Sequence, residues 1–117
     1  MAYMLLIVEP VGQRRALTEP ELRRRYENMF RFSADLQARG LLTMSQSLKT
    51  DEKGARVSAS GREPTVVDGP FAEAKEMIGG FILLTCETRE QAIAIAAECP
   101  AAQWATVEVR ELGPCFE

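Results

Sequence analysis

The chain contains no histidine. That single absence removes Ser-His-Asp triads, Cys-His pairs and histidine metal sites from consideration. Cysteine is scarce too: Cys86, Cys99 and Cys115 are odd in number and form no C-x-x-C pair. A disulfide framework or a zinc knuckle is therefore not expected, and the usage suits a reducing compartment. No apolar run approaches the roughly 20 residues that a membrane-spanning helix requires. The opening MAYMLLIVEP lacks the basic flank and small-residue cleavage site of a signal peptide, so it reads as a first strand and the expected location is the cytoplasm. Neither G-x-G-x-x-G nor a P-loop occurs, and no nucleotide site or other cofactor is expected.

What is present describes one soluble α+β domain. A chain of 117 residues is near the commonest domain size. With 46% hydrophobic and 26% charged residues it has enough apolar material for one core. The segment QRRALTEPELRRRYENMFR sets six arginines against three glutamates, which raises the possibility of a nucleic-acid surface. Arg23, Arg24 and Arg25, however, fan around a helix at about 100° steps instead of forming a stripe. A solvated helix face is the reading adopted, with no nucleic-acid partner.

The order of elements follows from local signals. Tyr3 to Val8 form a buried strand closed by Pro10 and Gly12. Thr18, Pro20 and Glu21 form a helix start with a capping box, and Leu22, Tyr26, Met29, Ser33 and Leu36 recur at helical spacing up to a C′ glycine, Gly40. Residues 41–49 read as a strand, 56–60 and 64–68 as a hairpin, and Met77 to Cys86 as a long apolar strand. Thr88 and Gln91 frame a second capping box, Pro100 ends that helix, and residues 104–112 close the chain as a strand. This is a ferredoxin-like split βαβ plan with an inserted β-hairpin. Two helices cover one sheet face. The strand over Met77 to Cys86 lacks polar alternation and calls for cover on both faces, so the expected partner is a second copy packed sheet to sheet.

The stretch DGPFAEAKEMIGGF, residues 68–81, closely resembles the signature of the DGPF-domain branch of the YCII-related family. MAYMLLIVE resembles that family's first strand, ECPAA the end of its second helix and TVEVREL its last strand, so the likeness covers essentially the whole chain. The resemblance implies a ferredoxin-like domain that pairs into a dimeric α/β barrel. It also implies a site at Asp68, since better-studied relatives carry an Asp–His pair in a pocket. Without histidine, only the aspartate can be carried over.

Asp68 has two readings from its own chemistry. It is a turn-former whose carboxylate accepts the Phe71 amide, or a general base or ligand anchor at a strand end. Glu73, Lys75 and Glu76 are solvated charges, or neighbours that tune Asp68 and hold a small anionic metabolite. Their sharing of a face depends on whether 71–77 is helical or extended. Tyr26 reads as core or as a pocket hydroxyl, and Arg110, opposite Val109, as a solvent-facing side chain or an anion contact. Gly79 and Gly80 read as a bulge that starts the apolar strand. Two functions stand side by side: a cofactor-independent enzyme using Asp68, with a pocket between sheet and hairpin, and a non-catalytic metabolite-binding or regulatory module.

Overall fold

A computed structural model describes residues 2–117. Strand β1 (Ala2–Pro10) alternates: Tyr3, Leu5, Ile7 and Glu9 are buried on one side, while Met4, Leu6 and Val8 are half-buried on the other. Helix α1 (Glu19–Ala38) starts at a complete capping box, in which Thr18 Oγ1 accepts the Glu21 amide and Glu21 Oε2 accepts the Thr18 amide. It ends before Gly40, whose φ of 73° is left-handed. Strands β2 (Leu42–Ser47), β3 (Ala55–Ser58), β4 (Thr65–Asp68) and β5 (Glu76–Thr85) follow. Helix α2 (Arg89–Glu98), a 3-10 turn over Pro100–Gln103 and strand β6 (Thr106–Glu111) complete the chain. The α2 cap is formed by half: Thr88 accepts the Gln91 amide, but the Gln91 side chain reaches back to the Glu87 amide instead of the cap residue.

The main sheet has the order β2-β5-β1-β6, with every neighbouring pair antiparallel. Both helices are crossovers between strands that are not adjacent, an arrangement compatible with the ferredoxin-like plan. The core lies between sheet and helices, where Leu5, Leu36, Ile82, Leu84 and Cys99 are fully buried. The opposite face carries Met4, Leu6 and Val8 of β1 with Phe81 and Leu83 of β5, all half-exposed in the single chain. Arg110 and Glu108 flank this face from β6 and pair with each other at 3.1 Å. Among the described residues no helix is long and apolar enough to cross a membrane.

β3 and β4 form a separate two-stranded sheet, every residue of which is exposed. Its base is where the DGPF segment acquires a structural role. The Gly69 amide donates to the Gly54 carbonyl at 2.9 Å, and the Phe71 amide donates to Asp51 Oδ2 at 3.3 Å. The Phe71 amide is thus taken by Asp51 and not by Asp68, because the 3-10 turn over Asp51–Lys53 docks directly beneath the DGPF turn. The Arg56 guanidinium lies 4.0 Å over the Phe71 ring and clamps the same corner. A Cβ at Gly69 would overlap the Asp51 carbonyl, with the carbonyl carbon at 2.8 Å. Gly69→Ala is therefore expected to cost about 1–3 kcal/mol, the usual range for forced overpacking. Proteolysis should read the change out as faster cleavage within residues 49–75, with the main sheet still protected.

Residues 71–75 are neither helix nor strand, and Glu76 already belongs to β5. Between Ile7 and Val8 the β1–β5 register slips: Ile7 faces Gly80, Val8 faces Ile78, and Gly79 is left over as a bulge.

Candidate functional site

The bulge lets a buried charge into the sheet. Glu9 is 3% exposed and is the one buried charged residue among those described. Its alternation with Leu5 and Ile7 turns it toward the helices. Arg14, on the 3-10 turn Arg14–Ala16, meets it: Nη2 lies 2.5 Å and Nε 3.1 Å from Glu9 Oε1. The same guanidinium donates from Nη1 to the Leu48 carbonyl at 2.7 Å and from Nη2 to the Gly79 carbonyl at 3.1 Å. One side chain thus ties β1, the segment after β2 and the β5 bulge together. A Cβ at Gly79 would overlap Glu9 Oε1 and stand 2.7 Å from Arg14 Nη2, so any larger residue at the bulge must displace the ion pair.

This ion pair ends a cleft of about 860 Å³ between α1 and the sheet. Ile7, Gly79, Gly80 and Ile82 form its floor. Leu22, Tyr26, Met29 and Phe30 form the helix wall, and Ser45 and Ser47 the β2 wall. Ser45 donates to Ser33 at 3.0 Å and bridges the two walls. Trp104 and Arg25 also line the cleft. A concave, largely apolar space with a few directed polar groups is the usual form of a small-molecule site.

Helical spacing puts Tyr26 on the inward stripe of α1, yet Tyr26 is 61% exposed at the lip of the cleft. Within α1 only Leu36 is buried, because the first half of the helix stands away from the sheet and leaves the cleft beneath it. Of the six candidate site residues named from sequence, Tyr26 alone lines this cleft. Glu76 borders a smaller cavity of about 590 Å³ on the far side of Trp104. Asp68, Glu73 and Lys75 are exposed and line neither cavity. Lys75 contributes its backbone carbonyl, which accepts the Val11 amide at 2.9 Å. Arg110 lies on the opposite sheet face. These residues are not brought together, and the cleft lies on the α1 side of the sheet, not beside the hairpin.

Burial pushes the thiols of Cys86 and Cys99 up, away from the thiolate form. The Glu9 carboxylate is committed to Arg14, and the Ser33 and Ser45 hydroxyls have each other. Among the described residues no three Cys, Asp or Glu side chains are grouped closely enough to hold a metal ion.

The fold, then, is an α+β domain with two helices on one face of an antiparallel sheet and a ligand-sized cleft beneath the first helix. Comparison with known sequences gives this domain a family. The sequence model of the YCII-related domain matches residues 1–115, and the chain belongs to the YCII-related family. It is also similar to an uncharacterised protein of Rhizobium meliloti (strain 1021), with 40% identity over 60 residues. That match takes in 50% of this chain and 48% of the relative, so the chain matches about half the length of the curated protein.

Proposed function

We propose that this protein is a small-molecule-binding domain whose ligand occupies the cleft between α1 and the sheet. The observation that carries the reading is the cleft itself: about 860 Å³, floored by Ile7, Ile82 and two glycines, with the Glu9–Arg14 pair at one end. Binding is favoured over catalysis because the one buried acid among the described residues is already held by a guanidinium and so is not free to act as a base. Asp68, Glu73 and Lys75 belong in this reading to the hairpin and its turn.

Trp104, the chain's one tryptophan, lines the cleft and makes the test direct. Titration with octanamide, a neutral amphiphile, should change Trp104 emission saturably. Ser33→Phe, which fills the space between α1 and β2, should abolish the response while the melting temperature stays close to that of the parent. Tyr26→Ala should weaken it several-fold. An unchanged titration in Ser33→Phe would remove the cleft as the ligand site.

The same proposal includes a homodimer through the open sheet face, in the manner of a dimeric α/β barrel. The single chain exposes 8223 Å², against about 6,300 Å² for a compact monomer of 13.0 kDa, an excess of about 1,900 Å². Its radius of gyration, 15.9 Å, likewise exceeds the roughly 13 Å of a compact domain this long. Obligate homodimers bury areas of this order per subunit. Light scattering should give twice the chain mass for the parent. Leu6→Asp, at the centre of the open face, should give the chain mass; a monomeric parent would end this part of the proposal.

A further inference from the structure

Three arginines line the cleft, and two of them are neutralised within the chain: Arg14 by Glu9, and Arg23 by Glu19 at 2.8 Å. Arg25 is half-buried and forms no ion pair among the described residues. It is nevertheless held in place. Its guanidinium carbon sits 4.6 Å from the centre of the Trp104 ring. Its Nη1 donates to Gln13 Oε1 at 3.2 Å, and Gln13 in turn is pinned by donating from Nε2 to the Trp104 carbonyl at 2.9 Å. Stacking satisfies the face of the guanidinium and leaves most of its edge N–H groups without an acceptor.

A planar, half-desolvated cation whose orientation is fixed and whose edge is free matches the geometry for accepting a carboxylate through two parallel hydrogen bonds. Resting on the reading of the cleft as a ligand site, we infer that Arg25 is its anion anchor. The ligand is then an organic monocarboxylate, its head on the Arg25 edge and its apolar body along Leu22, Tyr26, Met29 and Ile82. One uncompensated cation balances one negative charge; a phosphate dianion would leave a second charge partly desolvated without a partner. Arg14 cannot share the load, because Glu9 already neutralises it and its N–H groups are directed at Glu9, Gly79 and Leu48.

The test compares octanoate with octanamide, which differ in charge and hardly in shape, by following Trp104 emission at neutral pH. The parent protein should bind octanoate about ten-fold or more tightly than octanamide, the discrimination that one charged hydrogen-bonding pair supplies. That preference should shrink as sodium chloride is added. In Arg25→Gln the preference for octanoate over octanamide should disappear, the ratio of the two affinities falling to about one. Arg25→Lys, which keeps the charge but not the fork, should recover part of the preference, and it carries the test if the glutamine variant fails to fold. Equal binding of both probes by the parent, or an unchanged ratio in Arg25→Gln, overturns the anchor while leaving the cleft intact so long as Ser33→Phe still abolishes both. Failure of the parent to bind either probe overturns the anchor and the cleft together.

Discussion

Gly79→Ala is expected to destabilise the protein by about 3–5 kcal/mol, the range observed when a buried ion pair is broken. The backbone is not the reason, since Gly79 is absent from the residues with positive φ and an alanine could adopt its conformation. The obstruction is the Glu9 carboxylate, which a Cβ at 79 would overlap. Glu9 could swing aside only by giving up Arg14, whose Nη2 is itself 2.7 Å from the same Cβ position. Either response leaves a charge that is 3% exposed without its partner. Because Arg14 also closes on the Leu48 and Gly79 carbonyls, the end of the cleft should open as the pair separates. Urea denaturation at fixed protein concentration checks the magnitude. Gly113→Ala is the control, because its nearest neighbour to a new Cβ is a Glu117 side-chain oxygen at 3.5 Å, and it should change little.

The legible part of this fold was written in local signals. Thr18 with Glu21 starts α1, Gly40 stops it, and Gly79 with Gly80 marks a bulge; in each case the residue type answers a local backbone requirement. The strand order of the main sheet could be anticipated in the same way, from element order and the rarity of same-edge crossings. Long-range contacts were the part that could not be read. Asp51 takes the Phe71 amide from twenty positions away, and nothing in DGPF announces that another turn will dock beneath it. Tyr26 illustrates a different limit. Its spacing places it on the inward stripe, but spacing does not say how far α1 stands from the sheet, and that gap is the cleft. Glu9 could have been found. It continues the Tyr3, Leu5, Ile7 alternation, and a carboxylate at a buried position of a strand needs a counter-charge. The unbroken apolar run over residues 3–8 masks that alternation. The signature draws attention to Asp68, whereas it is the glycines at its far end that line the cleft.

The second large effect separates the worth of the Glu9–Arg14 pair from the cost of breaking it. Glu9→Leu should destabilise by about 3–5 kcal/mol, because Arg14, with its side chain only 24% exposed, would keep its charge at the cleft end and lose its counter-ion. The double variant Glu9→Leu with Arg14→Met removes the charge as well as the acid. It should be more stable than Glu9→Leu alone, which requires a coupling between the two contacting groups larger than the whole cost of Arg14→Met. Recovery should stop short of the parent, since the Leu48 and Gly79 carbonyls lose their donor and must turn to water. A cycle built from the two single variants and the double, measured as denaturation midpoints at one protein concentration, gives the coupling directly. Independent, additive effects would mean that the two side chains stabilise the end of the cleft separately. Strong coupling with near-complete recovery would mean that the pair contributes little net stability. The physical case for a polar pair at this place would then lie in what it does to the cleft: it would present a neutral wall to a bound ligand and leave Arg25 as the one cation of the lining without an ion pair among the described residues.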